Sequence, residues 1–167
     1  MDIFERLLSY DAWTTRQYLA LSERVADEPL DRPFDIGQGT LRQTWLHLIG
    51  NMETWTALMR GRTPRRAASP AAPPAMALLR ERFEAITPDF AACAREIAAA
   101  GRLDELWTDT LDEPPQRKTY GGAIAHVLIH NAQHRSEILH LLQRLGVPDL
   151  PEGDVLSWEA AMRDGQA

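Results

Sequence analysis

Apolar residues recur at intervals of three and four along most of this 167-residue chain, and this spacing constrains the fold more than any other feature. A period of 3.6 residues is typical of a helix that buries one face. The first such stretch runs from residue 2 to about residue 25. Its apolar positions are Ile3, Phe4, Leu7, Leu8, Tyr10, Trp13, Tyr18 and Leu21. A first long helix is therefore predicted there.

Two further long helices are predicted from the same spacing together with signals at their ends. One begins at Thr40, because its hydroxyl can accept the backbone N–H of Gln43 in a capping box, and runs to about Arg60. The other spans about residues 120–145 and is followed by Gly146, a common residue just beyond a helix end. The histidines discussed below all lie in these two helices.

A fourth long helix, third in chain order, is predicted over about residues 75–100. Pro88 lies inside it and lacks a backbone donor, so we expect a kink or a break there, with Thr87 available to cap a restarted helix. Residues 26–39 carry two prolines and two glycines and are predicted to be a connection. The Pro- and Ala-rich residues 61–74 are predicted to be exposed and mobile.

The remaining segments are short. Residues 101–119 contain an alternating L-W-T-D-T-L stretch and are predicted to be irregular, with room for a small hairpin. A final helix is predicted around residues 154–163. Long helices without a convincing sheet predict an all-α fold, a four-helix bundle with long crossover connections and a short extra C-terminal helix. The length suits one such domain over residues 1–167.

Charge and composition exclude several classes of function. The chain has 18 Lys and Arg against 24 Asp and Glu, a formal charge of -6, which argues against a nucleic-acid partner. No apolar run approaches the roughly 20 residues that span a bilayer, so no membrane partner is expected. The single cysteine, Cys93, cannot form an internal disulfide, and the first residues lack a secretory signal. A cytoplasmic location is therefore predicted.

Four of the five histidines lie between residues 126 and 140. On a helix, positions i and i+4 differ by about 40° in direction and about 6 Å in height, so His130 and His134 can point into one space. This is the spacing of the zinc ligands in H-E-x-x-H peptidases, but the general-base glutamate is missing here. A metal site needs at least a third ligand, and His47 on another helix is the natural candidate.

The histidines also have ordinary interpretations, because most helical histidines are hydrogen-bonded core or surface residues. His126 and His134 point about 80° apart, so His126 is predicted to be a core residue or to hydrogen-bond a carbonyl or carboxylate near the site. His140 is predicted to lie on the surface. Glu137 is a candidate hydrogen-bond acceptor for a ligand histidine or a general base, and a solvated glutamate is an equal alternative.

Three segments of the chain together resemble the DinB family of four-helix-bundle metalloproteins. They are L-L-S-Y-D-A-W in the first helix, T-L-R-Q-T-W-L-H-L-I-G-N-M-E in the second, and H-V-L-I-H-N-A-Q-H-R-S-E-I in the last long helix. By this resemblance His47, His130 and His134 match the metal-binding triad of the family. Ser136 and Glu137 stand where the family often has glycine and glutamine.

The resemblance implies a metal-dependent protein, with a divalent ion such as Zn or Ni. It also implies a small-molecule substrate, a low-molecular-weight thiol as co-substrate, and a homodimer. The predicted activity is a thiol-dependent S-transferase or isomerase. Two alternatives stay open, namely a metal-dependent hydrolase and a non-catalytic metal-binding stress-response protein.

Overall fold

The computed structural model describes residues 1–64, 73–111 and 113–165. Most of the predicted mobile linker over residues 61–74 lies outside these residues. The elements in chain order are α1 (Ile3–Ser22), α2 (Asp27–Leu30), α3 (Leu41–Met59), α4 (Met76–Ala99), β1 (Leu106–Asp109), β2 (Gln116–Thr119), α5 (Tyr120–Arg144) and α6 (Val155–Arg163). The prediction of an all-α bundle with a short C-terminal helix is confirmed.

The four long helices are arranged as a ring of neighbours in the order α1, α4, α3, α5. Helix α3 packs against α4 and α5, and α1 packs against the same two helices from the opposite side. Successive long helices α1 and α3 are therefore diagonal, and so are α4 and α5. Their connections must cross the end of the bundle, which explains why residues 23–40 and 100–119 are long.

The core lies between these four helices and is built from their apolar stripes. Its fully buried side chains include Leu19, Trp45, Leu48, Ile49, Met52, Leu79, Phe83, Val127, Ile138 and Leu141. The one polar group of Trp45 is satisfied, because its indole N–H donates to the hydroxyl of Ser22 at 2.9 Å. Burial of large apolar side chains of this kind is the main contribution to the stability of the bundle.

Local signals at the helix ends behave largely as predicted. The Gln43 N–H donates to the Thr40 hydroxyl at 3.1 Å, so the predicted cap of α3 is present. Of the kink or break predicted at Pro88, the break is wrong, because α4 continues through this residue. Thr87 caps no new helix, since its hydroxyl donates to the Phe83 carbonyl one turn earlier at 2.7 Å. The favourable packing of both halves of α4 outweighs the backbone hydrogen bond that proline cannot make.

The connections hold more structure than the sequence indicated. The segment 26–39 contains the short helix α2, in which Pro29 occupies the first turn, where a backbone donor has no helical partner anyway. The small hairpin is confirmed, with β1 and β2 antiparallel and Trp107 opposite Lys118. Trp158 of α6 is buried against the body of the bundle. Among the described residues, no helix combines the length and apolar character needed to cross a membrane.

Candidate metal centre

Three histidine side chains meet between α3 and α5. His47 comes from α3, and His130 and His134 lie one turn apart on α5. Nε2 of His130 is 2.9 Å from Nε2 of His47 and 3.1 Å from Nε2 of His134. The ligand atoms of the three residues all lie within 4.8 Å of one another. The structure therefore brings together the three histidines selected from the sequence, as a group that could hold a metal ion.

The chemistry of these nitrogens fits a cation. Two imidazoles bound to one tetrahedral zinc ion place their nitrogens roughly 3.3 Å apart, because each Zn–N bond is about 2.0–2.1 Å long. The distances from Nε2 of His130 to Nε2 of His47 and to Nε2 of His134 are close to that value. Each ring nitrogen carries at most one proton, and Nε2 of His130 faces two others. Nδ1 of His130 is also buried and has no partner within the described part of the chain. Hydrogen bonding alone therefore leaves this group poorly satisfied.

The electrostatic surroundings keep His47 and His130 neutral. The pKa of His130 is lowered to about 3, chiefly by burial and to a smaller extent by the neighbouring rings of His134, His47 and His126. Burial also lowers the pKa of His47, with a smaller contribution from His134. Neutral imidazole is the form that ligates metals. Both rings are therefore in the form that binds a metal ion at physiological pH.

Glu137 contacts the ring of His134 on the side away from the other two histidines. Its Oε2 lies 2.5 Å from Nδ1 of His134, so the carboxylate accepts the Nδ1–H and leaves the lone pair on Nε2. The loop before α3 covers the carboxylate, because a Cβ at Gly37 would lie 3.1 Å from Oε2 and 2.9 Å from the Thr44 hydroxyl. Gly37 also has a φ of +62°, which disfavours other residues. Glycine at this position lets the loop approach Glu137 closely.

The two remaining histidines of α5 lie outside this group. His140 is exposed, which confirms the prediction of a surface residue. The prediction of a core position for His126 is wrong, because His126 is also exposed. Its ring instead packs at 4.9 Å from the ring of Trp55 and at 5.5 Å from that of His130, between ring centroids. The row of α5 side chains that contains His130 and His134 therefore reaches the protein surface at His126.

Sequence reasoning missed a buried polar network on the face of α5 that packs against α1, about 100° around the helix from the histidine pair. Arg135 forms a salt bridge with Asp11 of α1, and both side chains are almost fully buried. Arg135 also donates to the Thr15 hydroxyl at 3.1 Å, and the Asn131 amide donates to Asp11 at 3.0 Å. The available signal was the pair Asn131 and Arg135, polar residues four apart on an otherwise apolar face.

Comparison with known protein families matches residues 11–138 to the DinB superfamily. The matched region covers most of the chain and contains the three histidines and Glu137. No curated protein matches the chain.

Proposed function

Because this chain belongs to the DinB superfamily, we propose that it is a metal-dependent enzyme in which His47, His130 and His134 hold a divalent ion, Zn or Ni. Its proposed reaction is thiol-dependent, either S-transfer from a low-molecular-weight thiol to a small electrophile or an isomerisation. The observation that carries the proposal is the convergence of three Nε2 atoms from two helices. Three protein ligands leave a coordination position for water or substrate, as in catalytic zinc sites.

The side chains of the site have separate roles in this proposal. His47 and His130 supply neutral nitrogens because burial lowers the pKa of each. Glu137 orients His134 by accepting its Nδ1–H. An ion bound by neutral ligands retains its positive charge, and it can then stabilise a thiolate, the reactive form of a thiol. The solvent side of the site, at His47, is where substrate enters.

The role of Glu137 is positioning rather than general-base catalysis. Its carboxylate contacts the Nδ1 edge of His134, whereas Nε2 of the same ring faces the other two histidines. The Glu137 side chain is only 18% exposed and lies behind the ring. A general base must reach the proton that it removes, and the imidazole stands in between. This arrangement gives no particular support to the hydrolase alternative.

The first experiment measures metal content in the purified protein and in two variants, His47→Ala and His134→Ala. We expect about one ion per chain in the wild type and background levels in both variants. His140→Ala is the matched control, because this exposed histidine of the same helix is outside the group. Equal ion content in all four proteins would rule out the site.

Thermal unfolding of the same variants separates a catalytic ion from a structural one. If the ion only joins α3 and α5 in a non-catalytic stress-response protein, its removal lowers Tm strongly. The proposed enzyme instead keeps its fold, because the core between the four long helices does not depend on the ion. Azide or a small thiol should then perturb the spectrum of a cobalt-substituted sample.

The thiol is identified with a panel of mycothiol, bacillithiol and glutathione, each with a generic electrophile. We expect metal-dependent turnover with one of the three and none after chelation. His134→Ala should abolish this turnover and His140→Ala should leave it unchanged. Absence of metal-dependent turnover with every thiol would favour the hydrolase or the non-catalytic alternative.

Assembly and location are part of the same proposal. We infer a homodimer in the cytoplasm that has neither nucleic acid nor membrane as a partner. An apolar groove of about 400 Å³ between α1 and α5 supports association, since Leu7 and the 68% exposed Ile129 line it. Light scattering coupled to size exclusion should give twice the 18.8 kDa mass of the chain.

A further inference from the structure

The candidate metal centre is covered on one side and reaches solvent on another. His134 is 6% exposed, and Glu137 and the Gly37 loop lie behind it. His47 and His126, in contrast, are both exposed. A small molecule can therefore approach the three Nε2 atoms past His47 and His126. The residues beside this approach are in a position to select among ligands.

Two aromatic rings stand beside the approach. The ring of His126 packs against His130 at 5.5 Å and against the half-buried Trp55 at 4.9 Å, between ring centroids. Trp55 lies two turns after His47 on α3, and His126 lies one turn before His130 on α5. Both therefore continue the stripes that carry the candidate ligands. We call Trp55 and His126 the ring wall.

The position of Trp55 is fixed from two directions. Its indole N–H donates to the Asn51 side-chain oxygen at 2.9 Å. The hairpin packs on its other side, with the ring of Trp107 edge-on at 6.1 Å and Nζ of Lys118 at 5.0 Å from the ring centroid. Lys118 is itself held by a salt bridge to the buried Asp109. A ring fixed in this way loses little conformational freedom when a ligand packs on it.

Two grooves on other faces of the protein do not include the candidate metal centre. One, of about 530 Å³, lies between α1, α4 and α6, and the other is the apolar groove between α1 and α5. None of the three histidines lines either groove. Ligand selection at the candidate metal centre is therefore assigned to the side chains beside its exposed histidines.

We propose that the ring wall selects planar, conjugated or aromatic ligands for the three-histidine site, a proposal that rests on the proposed function. Aromatic and heteroaromatic rings attract a flat π-system through stacked or edge-to-face contacts, and a puckered saturated ring of similar size cannot make them. The exposed His126 and half-buried Trp55 leave ring surface for such contacts. The proposed substrate is therefore an electrophile that carries a conjugated, unsaturated system directly beside the group that would bind the ion.

The test uses three hydroxamates as metal-binding probes of the zinc-loaded protein, with affinities measured by calorimetry. Benzohydroxamate carries a planar ring, cyclohexanecarbohydroxamate a puckered one, and acetohydroxamate none. We expect benzohydroxamate to bind about fivefold more tightly than the cyclohexyl probe, the order expected for one aromatic contact. Area burial alone predicts the reverse order, since the saturated ring is the more apolar.

Two variants assign the preference to the ring wall. Trp55→Leu should reduce the ratio between the two ring probes to about one and leave acetohydroxamate affinity unchanged. His126→Ser should reduce the ratio in the same direction, and its exposed position makes a folding defect improbable. Trp13→Leu is the matched control, because this tryptophan is also half-buried but borders the groove between α1, α4 and α6.

The outcomes separate the two proposals. Zinc-dependent binding of acetohydroxamate without a preference for the planar ring overturns the ring wall and leaves the metal site standing. A preference that survives both variants also overturns it. If circular dichroism shows that Trp55→Leu is unfolded, the result with His126→Ser decides. Absence of zinc-dependent binding for all three probes overturns the proposed function and the ring wall together.

Discussion

Helix α5 presents two polar faces that use the same spacing and differ in how their atoms are satisfied. Toward α1 it carries Asn131 and Arg135, and toward α3 it carries His130 and His134, each pair four residues apart. On the first face, the Arg135 guanidinium and the Asn131 amide both bond to Asp11. On the second, ring nitrogens face one another. In the first network two opposite charges pair, although Oδ1 of Asn131 has no partner among the described residues. In the second, a bound cation would satisfy the ring nitrogens that face one another.

This difference distinguishes a structural network from a binding site. Burying a charge is costly unless an opposite charge and hydrogen bonds compensate it, and Asp11 and Arg135 compensate each other. Burial lowers the pKa of His47 and of His130, so these two rings are neutral. An unsatisfied atom is present on both faces, Oδ1 of Asn131 on one and Nδ1 of His130 on the other, so the distinguishing feature is the buried pair of opposite charges on the first face. The two faces should therefore respond to mutation in opposite ways.

The largest effect is expected from His130→Ala, which removes the nitrogen that faces both other histidines. We expect complete loss of the bound ion, measured by elemental analysis. In the presence of a chelator, the free energy of unfolding should change by less than about 1 kcal/mol, because the half-buried ring lacks a hydrogen-bonded Nδ1. An ion content equal to that of the wild type would show that the face of α5 toward α3 is not a metal site.

Arg135→Ala tests the other face. It leaves the Asp11 carboxylate buried without its cation, so we expect the free energy of unfolding to fall by about 3–5 kcal/mol in urea titrations. The folded fraction should still bind one ion per chain, since Arg135 points toward α1. Loss of the ion with little change in stability would show that the two faces have been assigned the wrong way round.

A smaller effect is expected from Glu137→Ala, because in the proposed site Glu137 orients His134 and does not itself bind the ion. Loss of such a hydrogen-bond partner typically weakens metal affinity by about 10- to 100-fold. Glu137→Gln keeps an acceptor for the Nδ1–H of His134 and should restore part of the affinity, as measured by competition with a chromophoric chelator. If Glu137→Gln instead abolishes turnover at unchanged metal affinity, Glu137 is a general base.

The smallest effect is expected from Arg144→Ala, at the C-terminal end of the same helix. Arg144 pairs with Asp35, whose side chain is 87% exposed, and it also lies over the ring of Phe34 at 4.7 Å. Exposed pairs contribute about 0–1 kcal/mol, so the free energy of unfolding should fall by no more than that. A decrease in the free energy of unfolding as large as that of Arg135→Ala would mean that the different burial of the two salt bridges does not determine their contributions to stability.

The candidate ligand set shows how far sequence reasoning reached. The pair His130 and His134 follows from helical geometry, because side chains at i and i+4 share a face whatever surrounds the helix. His47 followed by elimination, as the one histidine outside the cluster. The hydrogen bond between Glu137 and His134 was one of several alternatives. The choice among these alternatives required the position of the Gly37 loop against Glu137. No local sequence pattern predicts that contact.

The position of His126 shows why other inferences failed. The angle between His126 and His134 correctly separated His126 from the group of three histidines. The same angle did not predict that His126 is exposed, because exposure depends on which distant segments pack around a residue. The partnership of Asp11 with Arg135 joins residues 124 positions apart. Local rules predicted a kink or a break of α4 at Pro88, yet the helix continues through this residue, with both of its halves packed in the bundle.

The sequence by itself determined the four long helices, the ends of α3 and α5, and the histidine pair, because helical period and capping act within a few residues. The tertiary structure alone decided which helices are neighbours and how the crossovers run. It also decided which polar residues of α5 meet a charge from α1 and which meet a histidine from α3. These properties depend on contacts between distant segments, and such contacts form only when the apolar faces of the helices pack together.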